Sequence, residues 1–219
     1  MLAYERWTWE RCSAQILSLK HRLGYEEQLW VLGFNLQDKG CLMDPFHNIE
    51  VFDPVKAPSP TSIPYQYSAV PEMYCLLSTY AMVTKIPLSG ELVSPKTLYP
   101  LSRFELRDEE NDALLQYSEE DLKRLRNLST PFFGRKLDHG DLSFEVWPLP
   151  LVPVTIIVWR GDESLSSRGL VLFDRSARHY LPNLVIELAR LTVWRLHNIL
   201  DPSVKWGHHQ LVNPTQIFY

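Results

Sequence analysis

The sequence predicts an α+β protein in which a mixed or antiparallel sheet is packed by an N-terminal helix, a central helix and a C-terminal helix. Three observations lead to this fold class. Of the 219 residues, 45% are hydrophobic and 22% are charged, as in globular proteins. Apolar residues recur at helical spacing near the start, the middle and the end of the chain. Short β-rich segments lie between these stretches, most densely in residues 142–173.

Residues 1–53 are expected to form a helix followed by a β-meander. Gly24 ends the predicted amphipathic helix, whose apolar residues recur at helical spacing: Trp9, Cys12, Ile16, Leu19 and Leu23. Three short apolar runs follow at residues 28–35, 41–43 and 49–52. Turn-forming residues separate these runs, which favours a small antiparallel meander.

Residues 54–70 and 71–130 are expected to form a proline-rich surface loop and a helical middle. The prolines of the loop exclude a regular helix or a central strand. Pro71 then begins a helix that is almost free of charge and is therefore expected to be buried. A later helix is predicted from Ser118 and Asp121, which resemble a capping box ahead of leucines at helical spacing.

Residues 131–199 are expected to form a β-rich segment and a closing helix. Gly134 and Gly140 bound a polar connection into this segment, and Pro182 begins the closing helix. Three strands are predicted between them, at residues 142–147, 152–159 and 169–173, and the middle strand is expected to be buried on both faces. With an irregular tail at residues 200–219, all five segments are assigned to a single domain.

The composition excludes several classes of partner. The formal net charge is −4, with no basic stripe, so nucleic-acid binding is not expected. The apolar stretch 146–159, which is free of charged residues, is shorter than the roughly 20 residues of a membrane span and is interrupted by prolines. Charged residues near the start argue against a secretory signal, so a cytoplasmic protein is expected. The three cysteines are widely spaced, which predicts buried thiols and neither disulfides nor a zinc site.

Known catalytic motifs are absent from the sequence. It contains no dinucleotide-binding or P-loop glycine pattern, no zinc-protease motif and no nucleophile elbow. A familiar nucleotide-dependent enzyme is therefore not expected, and no cofactor is assigned. The isolated histidines, among them His47 and His197, are predicted to be structural, and so is the adjacent pair His208 and His209.

Polar residues gather at the ends of the second-half strands. The candidate ligand-binding residues are Asp141, Trp159, Asp162, Glu163, Asp174 and His179. If the strands are neighbours, the carboxylates meet at one sheet edge, where they can serve acid–base chemistry or share a hard cation. His179 adds a nitrogen ligand or a proton shuttle. No residue is assigned as a metal ligand.

A structural interpretation of the same cluster remains open. Aspartate often caps turns through side-chain hydrogen bonds to the backbone, and Asp162 and Asp174 both follow predicted strands. In this interpretation, Arg160, Arg175 and Arg178 pair with the two carboxylates.

The order of motifs in the second half resembles domain of unknown function family 3786. The similarity is carried by residues 149–163, including Trp159-Arg160-Gly161-Asp162-Glu163, by residues 170–177 with their Leu-Phe-Asp-Arg-Ser-Ala turn, and by Tyr180-Leu181-Pro182. Looser agreement comes from Leu32-Gly33, from the helix after Pro71 and from Ser89-Gly90. The resemblance spans residues 23–196 and implies an uncharacterised family found mainly in anaerobic bacteria and archaea.

Two departures limit what the resemblance implies about chemistry. Members of the family often follow the Asp-Glu pair with another acid and Phe-Pro, whereas this chain has Ser164-Leu165-Ser166. Some relatives are joined to a cysteine-rich iron–sulfur module similar to that of corrinoid iron–sulfur proteins, and this chain has no such cysteine cluster. The resemblance thus implies a protein that works beside a redox or corrinoid-related partner.

Three hypotheses about function follow from the sequence. The first is a binding or accessory protein for a small ligand, a cofactor or a redox partner. The second is a hydrolase or lyase that uses Asp162 or Glu163 with His179 as acid–base groups, with or without a metal. The third is a structural subunit of an oligomer, with Trp7, Trp206 and Phe218 in an interface. The oligomeric state is not predicted.

Overall fold

The protein has an α+β fold with two antiparallel sheets. The computed structural model describes residues 29–37, 41–52, 73, 76–77, 79–80, 83–100, 108–127, 132–162, 164, 166–182 and 184–203. The predicted N-terminal helix, the whole proline-rich loop and most of the C-terminal tail lie outside these residues. The predicted arrangement of three helices around one sheet is therefore not confirmed, whereas the α+β class and the antiparallel pairing are.

The first sheet is the predicted meander, with one more strand than expected. Its strands are β1 (Leu29–Val31), β2 (Phe34–Leu36), β3 (Leu42–Asp44) and β4 (Ile49–Phe52), in that spatial order. The apolar run at 28–35 was expected to be one strand, but Leu32 and Gly33 interrupt it as a two-residue turn. Both have a left-handed φ, 52° and 75°, which suits a tight hairpin.

The second sheet has five strands in the order β5-β9-β8-β7-β6. The strands are β5 (Leu92–Val93), β6 (Phe133–Lys136), β7 (Leu142–Leu149), β8 (Val152–Trp159) and β9 (Arg168–Asp174). The three predicted second-half strands are confirmed as β7, β8 and β9. Strand β8 is central and buried from Val152 to Val158, which explains its nearly continuous β-branched sequence.

Two strands of the second sheet were not expected from the sequence. Strand β6 lies in the predicted polar connection between Gly134 and Gly140, and its residues 134–136 are exposed. Strand β5 has only two residues, with Leu92 exposed and Val93 buried. Such short or polar edge strands lack the alternating apolar pattern by which a strand is recognised.

The structure gives bounds for five helices. They are α1 (Pro95–Leu98), α2 (Asp108–Leu115), α3 (Glu119–Asn127), α4 (Ala177–Tyr180) and α5 (Val185–Leu200). The predicted capping box is confirmed, because Asp121 N–H donates to Ser118 Oγ (3.2 Å) and Ser118 N–H donates to Asp121 Oδ2 (3.0 Å). The closing helix begins at Val185 and not at Pro182.

Helix α5 lies at the centre of the helical layer. It contacts α1, α2 and α3, and most of its side chains are buried. The described residues of the predicted central helix, 73, 76–77 and 79–80, are helical. Cys41 is buried and forms no disulfide within the described residues, while Cys12 and Cys75 lie outside them.

The first sheet meets the second at the β7–β8 hairpin. Leu32 N–H donates to Pro148 O (2.6 Å), the Trp30 indole donates to Trp147 O (2.9 Å), and the Tyr80 hydroxyl donates to Pro150 O. Carbonyl groups at the end of β7 are thereby satisfied by the first half of the chain. This contact places the β1–β2 turn next to helix α5.

Candidate functional site

A buried ion pair joins the first sheet to helix α5. Asp44 at the end of β3 and Arg195 in the middle of α5 both have fully buried side chains. The guanidinium donates from Nη2 to Asp44 Oδ1 (2.8 Å) and from Nη1 to Asp44 Oδ2 (3.0 Å). This bidentate geometry is the strongest form of an arginine–carboxylate pair.

Further groups complete the surroundings of Arg195. Its Nη1 also donates to Asn198 Oδ1 (2.6 Å), one turn along the same face of α5, and its Nε donates to Leu32 O (3.0 Å). The Phe34 ring lies over the guanidinium, with the Arg195 carbon Cζ 3.6 Å from the ring centroid, and the Phe46 centroid lies 5.0 Å away. Four hydrogen bonds and two aromatic rings thus fix this cation in place.

His47 extends the network toward the surface. It lies in the four-residue turn between β3 and β4, and its Nδ1 is 2.8 Å from Asp44 Oδ2. Its side chain is 17% exposed, whereas that of Asp44 is 0% exposed. Asn48, with φ 54°, adopts the left-handed conformation that asparagine tolerates and closes this turn. Asp44, His47, Arg195 and Asn198 are called the His47 site below.

The electrostatics of the site keep Asp44 ionised. Burial by itself raises the pKa of Asp44, but the hydrogen bonds and charge of Arg195, together with the contact to His47, outweigh burial. The pKa of Asp44 therefore lies below its ordinary value of 3.8. The pair therefore carries no net charge.

Sequence analysis missed this site, although a signal was present. Arg195 follows Leu184, Leu188 and Leu191 on the apolar stripe of α5. A charged residue on such a stripe needs a buried counter-charge, and Asp44 ends an otherwise apolar strand. The partner could not be identified because 151 residues separate the two positions. His47, predicted to be structural, is the exposed member of the network.

Asp174, a sequence-predicted candidate, has its carboxylate occupied by neighbouring groups. It accepts hydrogen bonds from Ser89 N (2.9 Å), Ser89 Oγ (2.9 Å), Gly90 N (2.7 Å) and Ser176 N (2.9 Å). Burial by itself raises the pKa of Asp174, but hydrogen bonds from Ser176 and Ser89 lower it from 3.8 to about 2. The carboxylate is therefore ionised and anchors the chain around Gly90 to the end of β9.

His179 also binds the chain near β5. Its Nε2 is 2.8 Å from the carbonyl oxygen of Thr84, and its ring packs edge-on against Tyr180. Arg175 pairs with Glu91 and not with a predicted aspartate. The geometry around Asp174 and His179 is that of a backbone anchor.

Asp141, Asp162 and Trp159 lie together at the other end of the sheet. Asp141 Oδ2 accepts from Arg160 N (2.7 Å), and Asp162 Oδ1 accepts from Ser164 N (2.8 Å), so both carboxylates cap loop backbone. Trp159 is 37% exposed. Arg160 donates its guanidinium N–H to Tyr117 O (2.7 Å) and not to an aspartate side chain. Glu163 lies outside the described residues.

The structure does not bring the predicted carboxylates to one edge of the sheet. Strands β7, β8 and β9 are neighbours, as expected, but they are antiparallel: Trp159 pairs with Arg168, and Val154 pairs with Phe173. The carboxyl end of β9 therefore lies at the opposite end of the strands from the carboxyl end of β8. Asp174 and His179 are separated from Asp162 by the length of β8, about 23 Å over seven residue steps.

A second group of titratable side chains lies between α2, α3 and α5. The Tyr117 hydroxyl is buried and has no hydrogen-bond partner among the described residues. Burial, followed by the charge of Asp121, raises the pKa of Tyr117 well above its ordinary value. The His197 ring lies 5.2 Å from the Tyr117 ring, and burial lowers the pKa of His197, so both groups are uncharged at neutral pH.

The described residues offer no metal centre. No group of three or more His, Cys, Asp or Glu side chains within them is arranged to hold a metal ion. None of the helices in the same part of the chain has the length and apolar character that crossing a bilayer requires.

Comparison with known proteins identifies one match. A family model described as Domain of unknown function (DUF3786) matches residues 50–188, more than half of the chain. No curated protein and no solved structure matches the chain. The matched range contains the second sheet, whereas Asp44, His47 and Arg195 lie on either side of it.

Proposed function

The chain belongs to the Domain of unknown function (DUF3786) family, and from the His47 site we propose that it is a small-ligand binding protein. The observation that carries this proposal is the Asp44–Arg195 pair, fully buried and holding Nδ1 of a partly exposed histidine. Removing two charges from water costs several kcal/mol per ion, which is a poor route to stability alone. Because the pair holds an imidazole in a fixed position near the surface, we infer that it serves to bind a ligand.

The Asp162 and Asp174 regions support a binding role less well. Their carboxylates accept hydrogen bonds from the backbone of neighbouring loops, as the structural interpretation of the sequence expects. A ligand would have to displace those donors from Asp174. Ligand binding at these residues remains a prediction, as do a redox or corrinoid-related partner, a cytoplasmic location and an anaerobic source.

The proposal is tested with His47→Asn and native mass spectrometry of protein purified without oxygen. An asparagine amide nitrogen occupies nearly the position of imidazole Nδ1, so this variant keeps a donor to Asp44 and loses only the outer ring nitrogen. The wild-type protein is expected to carry a small-molecule adduct of constant mass that the variant lacks. Because the hydrogen bond is retained, the free energy of unfolding should change by less than about 1 kcal/mol.

Asp162→Asn provides the matched control. Asp162 caps an exposed loop at the far edge of the second sheet, so this variant should retain the adduct. Loss of the adduct in Asp162→Asn but not in His47→Asn would place the ligand at the sequence-predicted cluster. An adduct that survives in both variants, or a clean mass for the wild-type protein, would contradict the proposal.

A second candidate function is acid–base catalysis as a hydrolase or lyase, favoured by the His47–Asp44 contact. A carboxylate on Nδ1 orients an imidazole and leaves Nε2 to move a proton, as in catalytic dyads. Within the described residues, no serine, threonine or cysteine is hydrogen-bonded to His47 as a nucleophile. An activity screen with and without divalent metal would support catalysis if activity has a bell-shaped pH profile and disappears in His47→Asn.

A further inference from the structure

The hydrogen-bonding pattern of Asp44 determines which nitrogen of His47 carries the proton. Oδ1 accepts from Phe46 N (3.0 Å) and from Arg195 Nη2, while Oδ2 accepts from Arg195 Nη1 and contacts His47 Nδ1. In each of these contacts the ionised carboxylate can only accept a hydrogen bond. Because an ionised carboxylate has no proton to give, the Nδ1 atom must be the donor in this contact.

The outer nitrogen of the neutral ring is consequently a hydrogen-bond acceptor. When Nδ1 carries the proton, Nε2 presents a lone pair. No hydrogen-bond partner of Nε2 is found in the residues that the structure describes, and the side chain is 17% exposed. A ligand that meets this atom must bring its own proton, as a hydroxyl or N–H group does.

An anionic ligand gains no attraction from Arg195 at this site. The Arg195 side chain is fully buried and commits four N–H groups to Asp44, Asn198 and Leu32, so it presents no cation at the surface. A carboxylate or phosphate would therefore meet the lone pair of Nε2 without an Arg195 charge beside it at the surface.

An apolar side chain borders the same site. Ile49 pairs directly with Asp44 across the β3–β4 ladder. Directly opposed residues of antiparallel strands point to the same face of the sheet, so Ile49 lies beside Asp44 on the face that holds Arg195. Ile49 is 37% exposed, so part of its apolar side chain is open to solvent beside Asp44.

We propose that the His47 site binds a neutral hydroxyl compound with an apolar body, its O–H donating to Nε2 and its body packing on Ile49. This inference rests on the proposed binding function and specifies the chemical class of the ligand. Ligands that donate a hydrogen bond are therefore expected, and not the carboxylates and phosphates that sites with an accessible arginine bind.

The test uses two probes that share a ring, phenol and benzoate. Phenol offers a donor hydroxyl, and benzoate offers only an anionic acceptor. The full chain, labelled with ¹⁵N, is titrated with each probe near neutral pH while imidazole nitrogen signals are recorded, and His47→Asn identifies the signals of His47. Phenol is expected to shift Nε2 of His47 and to bind about tenfold more tightly than benzoate, and His47→Asn should lose this preference.

The outcomes separate the two proposals. If benzoate binds as tightly as phenol or more tightly while shifting His47, the donor class is wrong but the binding site stands. If neither probe shifts His47, both the binding function and the ligand class are contradicted. A free-protein spectrum showing the proton on Nε2 would also overturn the inference, because the outer nitrogen would then be a donor.

Discussion

At the scale of single residues, the hydrogen bonds that a carboxylate already accepts show whether it anchors the chain or is open to a ligand. Asp174 is 4% exposed and accepts from two backbone N–H groups and a hydroxyl in the segment before β5, and from Ser176 N–H. The same residue types in sequence would suit a ligand site. Only the positions of Ser89 and Gly90, more than 80 residues earlier in the chain, show that the donors come from the protein itself.

Asp174→Asn is expected to destabilise the protein in a pH-dependent way. The folded-state pKa of about 2 lies below the ordinary value of 3.8. Since one pKa unit corresponds to about 1.4 kcal/mol, the ionised carboxylate contributes about 2 kcal/mol above pH 3.8. That contribution is lost as the pH falls toward 2. Urea unfolding across this range should show the loss in the wild-type protein but not in Asp174→Asn.

Glu91→Gln is the control for Asp174→Asn. Glu91 lies in the same segment but is exposed, and its pair with Arg175 is at the surface. Exposed ion pairs contribute little, so the unfolding midpoint should stay unchanged. A variant of Asp174 as stable as that of Glu91 would show that the carboxylate does not anchor the segment.

At the scale of elements, turn geometry decides where the strands of the first sheet begin and end. Gly33 has a φ of 75°, and a Cβ at this position would lie 2.7 Å from Phe46 Cε2. Glycine therefore allows both the left-handed turn and the close approach of the Phe46 ring, which packs toward Arg195. The turn thus connects the hairpin to the His47 site.

Gly33→Ala and Gly90→Ala form a matched pair for this turn. Both positions have a φ of 75°, but nothing lies within 4 Å of a Cβ at Gly90. Gly90→Ala should cost about 1 kcal/mol from backbone strain alone. Gly33→Ala should cost about 1–3 kcal/mol more because the Phe46 ring must move. Chemical denaturation measures both, and equal losses would show that Phe46 adjusts freely.

At the scale of the whole molecule, the His47 site joins elements that are distant in sequence. Arg195 in α5 contacts the β1–β2 turn through Leu32 O and the end of β3 through Asp44. Leu32 in turn donates to Pro148 O in the β7–β8 hairpin. Arg195 thereby links helix α5 to the first sheet directly and to the second sheet through Leu32.

Arg195→Met is expected to be among the most destabilising single substitutions. It leaves the buried Asp44 charge without its partner, which costs about 3–5 kcal/mol. The double variant Asp44→Leu with Arg195→Met removes both charges and should recover most of this loss. Urea unfolding compares the two, with exposed Arg175→Met as the control that should have no effect. If the double variant is no more stable than Arg195→Met, packing and not charge explains the loss.

How far the site could be predicted differs between its parts. Asp141, Asp162 and Asp174 were selected because they lie at the ends of apolar strands, and the strands themselves are confirmed. Their assembly at one edge could not be decided, because the direction and order of strands depend on long-range pairing. His47 appeared isolated because its neighbour Asp44 acquires a buried partner only in the folded chain. That partner, Arg195, lies 151 residues further along the sequence.

The sequence by itself determined the α+β class, the antiparallel meander, the capping box at Ser118 and the three strands β7, β8 and β9. These features follow from local periodicity, side-chain branching and turn chemistry, which act over a few residues. The tertiary structure alone decided that the sheets are separate, that the second-half carboxylates lie at opposite edges, and that Arg195 meets Asp44. Those outcomes depend on burial and charge pairing between distant segments, since a buried cation is stable only where the folded chain supplies its counter-charge.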